Sequence, residues 1–131
     1  MRDSQEENAD STSPAPCPPL ALSRLAEGTF HARLAATAGV AVVLFSAPAC
    51  GACRSWKSLL PAALSGMASA LYEVDVSEAT GVARYYGIFH LPTLHLYRGG
   101  QFHAELQCEA RPDVIRQTVQ RLLAAPSQDE P

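Results

Sequence analysis

At 131 residues, 47% of them hydrophobic and 18% charged, the chain has room for one domain with a real core. Ten Lys and Arg against thirteen Asp and Glu leave a formal charge of −3. The basic residues are scattered, so neither a nucleic-acid footprint nor a polybasic membrane patch is present, and no apolar stretch approaches the roughly 20 residues needed to span a bilayer.

The chain opens on a Ser-, Pro-, Glu- and Asp-rich stretch, residues 1–19, with almost nothing to bury. It reads as a disordered N-terminal extension. It has no basic start followed by a hydrophobic core, so no secretory signal is predicted and the cytoplasm is the expected location. Residues 20–124 read as a single domain, and residues 125–131 as a disordered C-terminal tail.

Within the domain, Thr29 is placed to cap a short helix with Phe30 and Leu34 on one face. Val40 to Phe45 (V-A-V-V-L-F) is a β-branched apolar run and reads as a buried strand. A helix is predicted from Cys50 to about Ala70, kinked or interrupted at Pro61. Leu71 to Val76 alternates like a strand. A short helix follows over Glu78 to Tyr86, with Ser77 as its cap. Thr93 to Arg98, Gly99-Gly100 and Gln101 to Gln107 form a β-hairpin pattern. Pro112 fits the first position of a last helix, whose apolar face carries Val114, Ile115, Val119, Leu122 and Leu123. Strands alternating with helices and closing on a hairpin predict an α/β fold, with a central mixed sheet of about four strands flanked by helices.

The chemistry concentrates in Cys50-Gly51-Ala52-Cys53, directly after the first strand. Two thiols three residues apart on a first helical turn are close enough to close a small disulfide ring. The first lies among unpaired backbone N–H groups at the positive end of the helix dipole, which favours the nucleophilic thiolate. The four cysteines, at 17, 50, 53 and 108, do not have the spacing of a small secreted disulfide framework. Structural zinc wants four ligands and this C-x-x-C supplies two. Cys108 and His90 would have to converge on it, so no metal and no cofactor are expected.

This element order, with C-x-x-C at a strand-to-helix junction, is similar to the thioredoxin family. Tyr86-Gly87-Ile88-Phe89-His90-Leu91-Pro92-Thr93-Leu94 resembles that family's Y-G-I-x-x-[VI]-P-T-L segment. The resemblance covers roughly residues 22–123. It implies a thioredoxin fold, with Cys50 as the attacking thiol, Cys53 as the buried resolving thiol and Pro92 as a cis proline. Leu91, Pro92 and Thr93, with Gly51 and Ala52, would border the groove for an extended substrate. The implied activity is thiol–disulfide exchange, most simply reduction of protein disulfides, with a thioredoxin reductase as a candidate electron donor and a monomer as the working unit. A thioredoxin-fold adaptor or maturation chaperone that binds a partner without redox turnover is the alternative.

The chain departs from the family's W-C-G-P-C pattern. Ala49 replaces the tryptophan, removing an apolar lip, and Ala52 replaces the proline, adding an N–H near Cys50. Leu44 stands where the family carries a buried aspartate. Glu73 stands where it often has a lysine, and is either a relocated acid or an outward strand residue. Cys108, in place of a glycine near the active-site surface, is either a third redox thiol or a small hydrophobe. His90 is a candidate pH-sensitive neighbour of the cysteines or a solvated surface residue. Arg54 and Lys57 add positive charge near Cys50 or are simply solvated. His31, His95 and His103 show no ligand spacing, while Trp56, Tyr85 and Tyr97 read as core or rim packing.

Overall fold

Val40–Ser46 is buried almost without interruption, the pattern of a strand covered on both faces. The structure, a computed structural model, describes residues 20–131. In chain order its elements are β1 (Leu22–Arg24), α1 (Phe30–Ala35), β2 (Val40–Ser46), α2 (Gly51–Ala63) and β3 (Ala70–Asp75). There follow α3 (Thr80–Tyr85), β4 (Thr93–Arg98), β5 (Gln101–Glu105) and α4 (Pro112–Ala124). The strands form one mixed sheet in the order β1-β3-β2-β4-β5. β1 and β2 run parallel to β3, while β4 is antiparallel to both β2 and β5.

Side chains of β2 alternate between two cores. Val42 and Leu44 join Trp56 and Leu60 of α2 and Ile115, Val119 and Leu122 of α4. Ala41, Val43 and Phe45 join Phe30 and Leu34 of α1 and Val82 of α3 on the other face. Two helices therefore cover each side, and β2 lies at the centre, handing the chain directly to Cys50.

Among the described residues the sheet has five strands where about four were predicted. The addition, Leu22–Arg24, is three residues long, too short to show a period, and takes its identity from pairing with Leu71, Tyr72 and Glu73. α2 stops at Ala63, well before Ala70. Pro61 lies inside its last turn and cannot donate to the Lys57 carbonyl, and Gly66, at φ 81°, turns the chain away. α3 begins at Thr80, with Ala79 and not Ser77 at its cap. Ser77 instead gives both its N–H and its hydroxyl to Asp75, at 2.9 and 2.6 Å. The amides of Gly81 and Val82 are satisfied by Glu27, at 3.0 and 3.2 Å. Thr29 precedes α1 as read, but its side chain makes no capping bond.

The N-terminal extension read at residues 1–19, with Cys17, lies outside the described residues. Residues 125–131 form no helix or strand. Gln128 nevertheless donates its N–H to the His103 carbonyl at 2.7 Å and accepts from the Glu105 amide at 3.1 Å.

Candidate functional site

Cys50 is the N-cap of α2, with φ −88° and ψ 106°, and is reached from β2 through a turn in which its N–H donates to the Ala47 carbonyl at 3.1 Å. Its sulfur accepts a hydrogen bond from the Cys53 N–H at 3.1 Å, satisfying one of the orphan amides of the first turn. That turn, Gly51-Ala52-Cys53, contains no acidic residue, so nothing on the helix itself offsets the positive end of its dipole. Cys50 and Cys53 are joined as a disulfide, their Cα atoms 5.3 Å apart. The two sulfurs are not equivalent: Cys50 is half-buried, Cys53 is fully buried, and Gly51 and Ala52 between them are exposed.

Leu91–Pro92 is a cis peptide bond. The Thr93 hydroxyl donates to the His90 carbonyl at 2.7 Å, tying the two ends of this loop together. Thr93 pairs in register with Phe45, so the loop enters the sheet at the end from which β2 leads into Cys50. Leu91 and Pro92 are half-buried and Thr93 is buried.

Leu44 is fully buried among apolar neighbours and brings no carboxylate beneath the cysteines. Glu73, opposite it in register on β3, is only 6% exposed, so it is not an outward strand residue. Its Oε2 accepts from the Ser46 hydroxyl at 2.7 Å and from Lys57 Nζ at 2.8 Å. Arg24 lies 3.5 Å from Oε1. Burial works to raise the pKa of this carboxyl, but the hydrogen bonds from Lys57 and Ser46 and the charges of Lys57 and Arg24 outweigh it and hold the group below its usual range.

Cys108 is a free thiol, half-buried against the core between α2 and α4. Desolvation pushes its pKa up, against the pull of the Thr118 hydroxyl, so it is held as thiol and not as thiolate. His90 is exposed. Trp56 and Tyr97 are core residues, whereas Tyr85 is 57% exposed.

Three participants escaped the sequence reading. Phe89 is 93% exposed on the loop leading to Pro92. Its ring lies over Gly87 and forms one wall of an open pocket of about 310 Å³ that also includes Val76, Ala83, Arg84 and Ile88. Ser46 and the pairing of Lys57 were the others. For Lys57 a local signal existed, because a residue four after Cys53 shares its helix face.

The sequence profile of the thioredoxin family, described as Thioredoxin, matches residues 21–121. The chain belongs to the thioredoxin family. No curated protein sequence matches it. Among solved structures, human ERp44 in a zinc-bound form is similar in fold, with a TM-score of 0.67 at 20% identity over 77% of this chain. This chain spans 31% of the ERp44 chain. Among the described residues of this thioredoxin-family chain, no three His, Cys, Asp or Glu side chains converge as metal ligands.

Proposed function

We propose that this thioredoxin-family protein is a thiol–disulfide oxidoreductase that reduces disulfides in client proteins. One observation carries the reading: an accessible cysteine at a helix N-terminus is paired with a buried one three residues on. In the reduced state the Cys50 thiolate attacks one sulfur of a client disulfide. A mixed disulfide forms, and the client's other sulfur leaves as thiolate. Cys53 then loses its proton and attacks the Cys50 sulfur, which expels the client's second sulfur. Two electrons pass to the client, and the Cys50–Cys53 disulfide remains. Because Cys53 is buried, it meets the sulfur bound to Cys50 and not a free client. In this reading the client lies along Leu91, Pro92 and Thr93, on the loop that enters the sheet at the end where β2 leads toward Cys50, with the exposed Gly51 and Ala52 bordering it. A thioredoxin reductase, or a small dithiol, returns the two electrons in a reducing compartment such as the cytoplasm.

The deciding experiment is reduction of insulin with thioredoxin reductase and NADPH, repeated with dithiothreitol as donor. Wild type turns over with at least one donor, and Cys50→Ser loses at least about a hundred-fold. No turnover with either donor overturns the reading.

The exposure of Phe89 and Tyr85 favours one second reading, an adaptor that holds a client on this surface without electron transfer. Client binding that survives replacement of both Cys50 and Cys53 by serine would mark that case.

A further inference from the structure

Residues 125–131 form no helix or strand, yet their path is fixed at both ends. Two side chains of the β4–β5 hairpin meet the last carbonyls of α4. Arg98 donates to the Leu123 oxygen at 3.0 Å, and His103 Nε2 lies 2.6 Å from that of Leu122. These bonds satisfy orphan acceptors at the helix end and direct the chain along β5. An open cleft of about 450 Å³ is bordered by Ala125, Pro126 and Ser127 of the tail and by Gln101 and Phe102 of β5. At its far end the tail reaches α3, where the Tyr85 hydroxyl donates to Glu130 at 3.5 Å.

Among the described residues no strand lies beyond β5 in the sheet. Such an edge presents main-chain donors and acceptors to any extended chain that meets it. Gln128 takes two of them. Its N–H donates to the His103 carbonyl at 2.7 Å, and its side-chain oxygen accepts from the Glu105 amide at 3.1 Å. A residue of a parallel strand would bridge the same carbonyl and amide with its own N–H and C=O. Gln128 copies that rung, its side-chain oxygen standing in for the carbonyl. The tail is a poor template for a further strand, because Pro126 and Pro131 have no N–H and Asp129 and Glu130 are charged.

We propose that the outer edge of β5 is a self-association surface for a second copy of this chain, held closed by Gln128. The strand suits its own copy as a partner. A two-fold axis at His103 sets Gln101 opposite Glu105 of the second copy and Phe102 opposite Ala104, so neither carboxylate meets its own copy. Antiparallel pairing about that axis joins the two sheets into one. The guard is light: both bonds to β5 belong to a single residue, so it opens while the core stays packed. Neither Cys50 nor Cys53 takes part, so the association stands or falls apart from the redox activity.

The full chain is compared with Q128P, which lacks both the N–H and the side-chain oxygen, and with Q128A, which keeps the N–H. Both substitutions fall outside every helix and strand. Hydrogen exchange at the Glu105 amide is read in dilute protein and again at near-millimolar concentration. Sedimentation velocity follows the same range in dithiothreitol, which keeps Cys17 and Cys108 from bridging two chains. In dilute Q128P the Glu105 amide exchanges at least about ten-fold faster than in the wild type, because two hydrogen bonds are lost. At high concentration Q128P dimerises and this amide becomes protected again, the wild type stays monomeric, and Q128A falls between. Equal exchange in dilute wild type and Q128P overturns the guard. A Q128P that stays monomeric, one that associates no more than the wild type, or a dimer whose Glu105 amide stays unprotected overturns the surface.

Discussion

The Cys53 N–H points at the Cys50 sulfur from 3.1 Å, so the two residues are joined through backbone as well as through their disulfide. After reduction this donor remains in place and favours charge on Cys50, whereas Cys53 is sealed in the core. The roles are therefore not interchangeable. Cys53→Ser is expected to accumulate a mixed disulfide between Cys50 and an insulin chain, visible as a mass adduct that dithiothreitol removes. Cys50→Ser should yield none. Equal adduct from both variants would show that either sulfur can attack and would remove the assignment.

His95 supplies a pH dependence independent of the cysteines. It is 1% exposed, its Nδ1 has no hydrogen-bond partner among the described residues, and the rings of Phe45, Tyr86 and Phe102 lie 4.9–5.2 Å away. Desolvation holds its pKa down at about 4, against 6.5 when unfolded. The unfolded chain then binds the extra proton between these values, so stability falls as pH drops from about 6.5 toward 4. The loss should reach about 2 kcal/mol by pH 5. Glu73, whose folded pKa is lowered, adds a further loss only at more acid pH, below its unfolded value of 4.5. Urea unfolding at pH 7 and pH 5 checks this. His95→Leu, close in volume, should flatten the slope above pH 5, and an unchanged slope would assign it elsewhere.

What was legible in the sequence is what local pattern determines. The β2 run, the hairpin glycines and the apolar face of α4 all announce themselves within a few residues, and C-x-x-C marks its own place at the start of α2. The misses are non-local. β1 exists because Glu73 and its neighbours offer an open edge about fifty residues away. The start of α3 is set by Glu27, from the other side of the sheet's first crossover, and not by the adjacent Ser77. The burial of Glu73 likewise depends on cations from β1 and α2 that strand alternation does not report.

Phe89 presents an apolar surface on the loop before Pro92, 93% exposed. An aromatic this exposed adds little to the fold, and under the proposed function it is expected to meet the client. Phe89→Ser is expected to raise KM for insulin several-fold with kcat nearly unchanged, and to leave reduction of glutathione disulfide, which is too small to reach the pocket beside Gly87, unaffected. Stability should change by no more than about 0.5 kcal/mol. A fall in kcat on both substrates would mean that Phe89 positions the loop and not the client.

The hairpin between β4 and β5 separates two glycines that the sequence presents as equivalent. Gly99 and Gly100 have φ of 59° and 80°, so both occupy the left-handed region that a two-residue hairpin turn requires. Around Gly99 a Cβ would meet open space, and asparagine, which tolerates this backbone, should be accepted at less than about 1 kcal/mol. At Gly100 a Cβ would lie 3.0 Å from both the Cα and the carbonyl oxygen of Ala35, and backbone at the end of α1 cannot swing aside as a side chain would. Gly100→Ala adds that collision to the strain of its φ and should cost about 1–3 kcal/mol. Urea midpoints of the two variants decide the matter. A Gly100→Ala midpoint equal to that of Gly99→Asn would mean that the turn can move away from α1, and that its contact with Ala35 does not hold the hairpin in place.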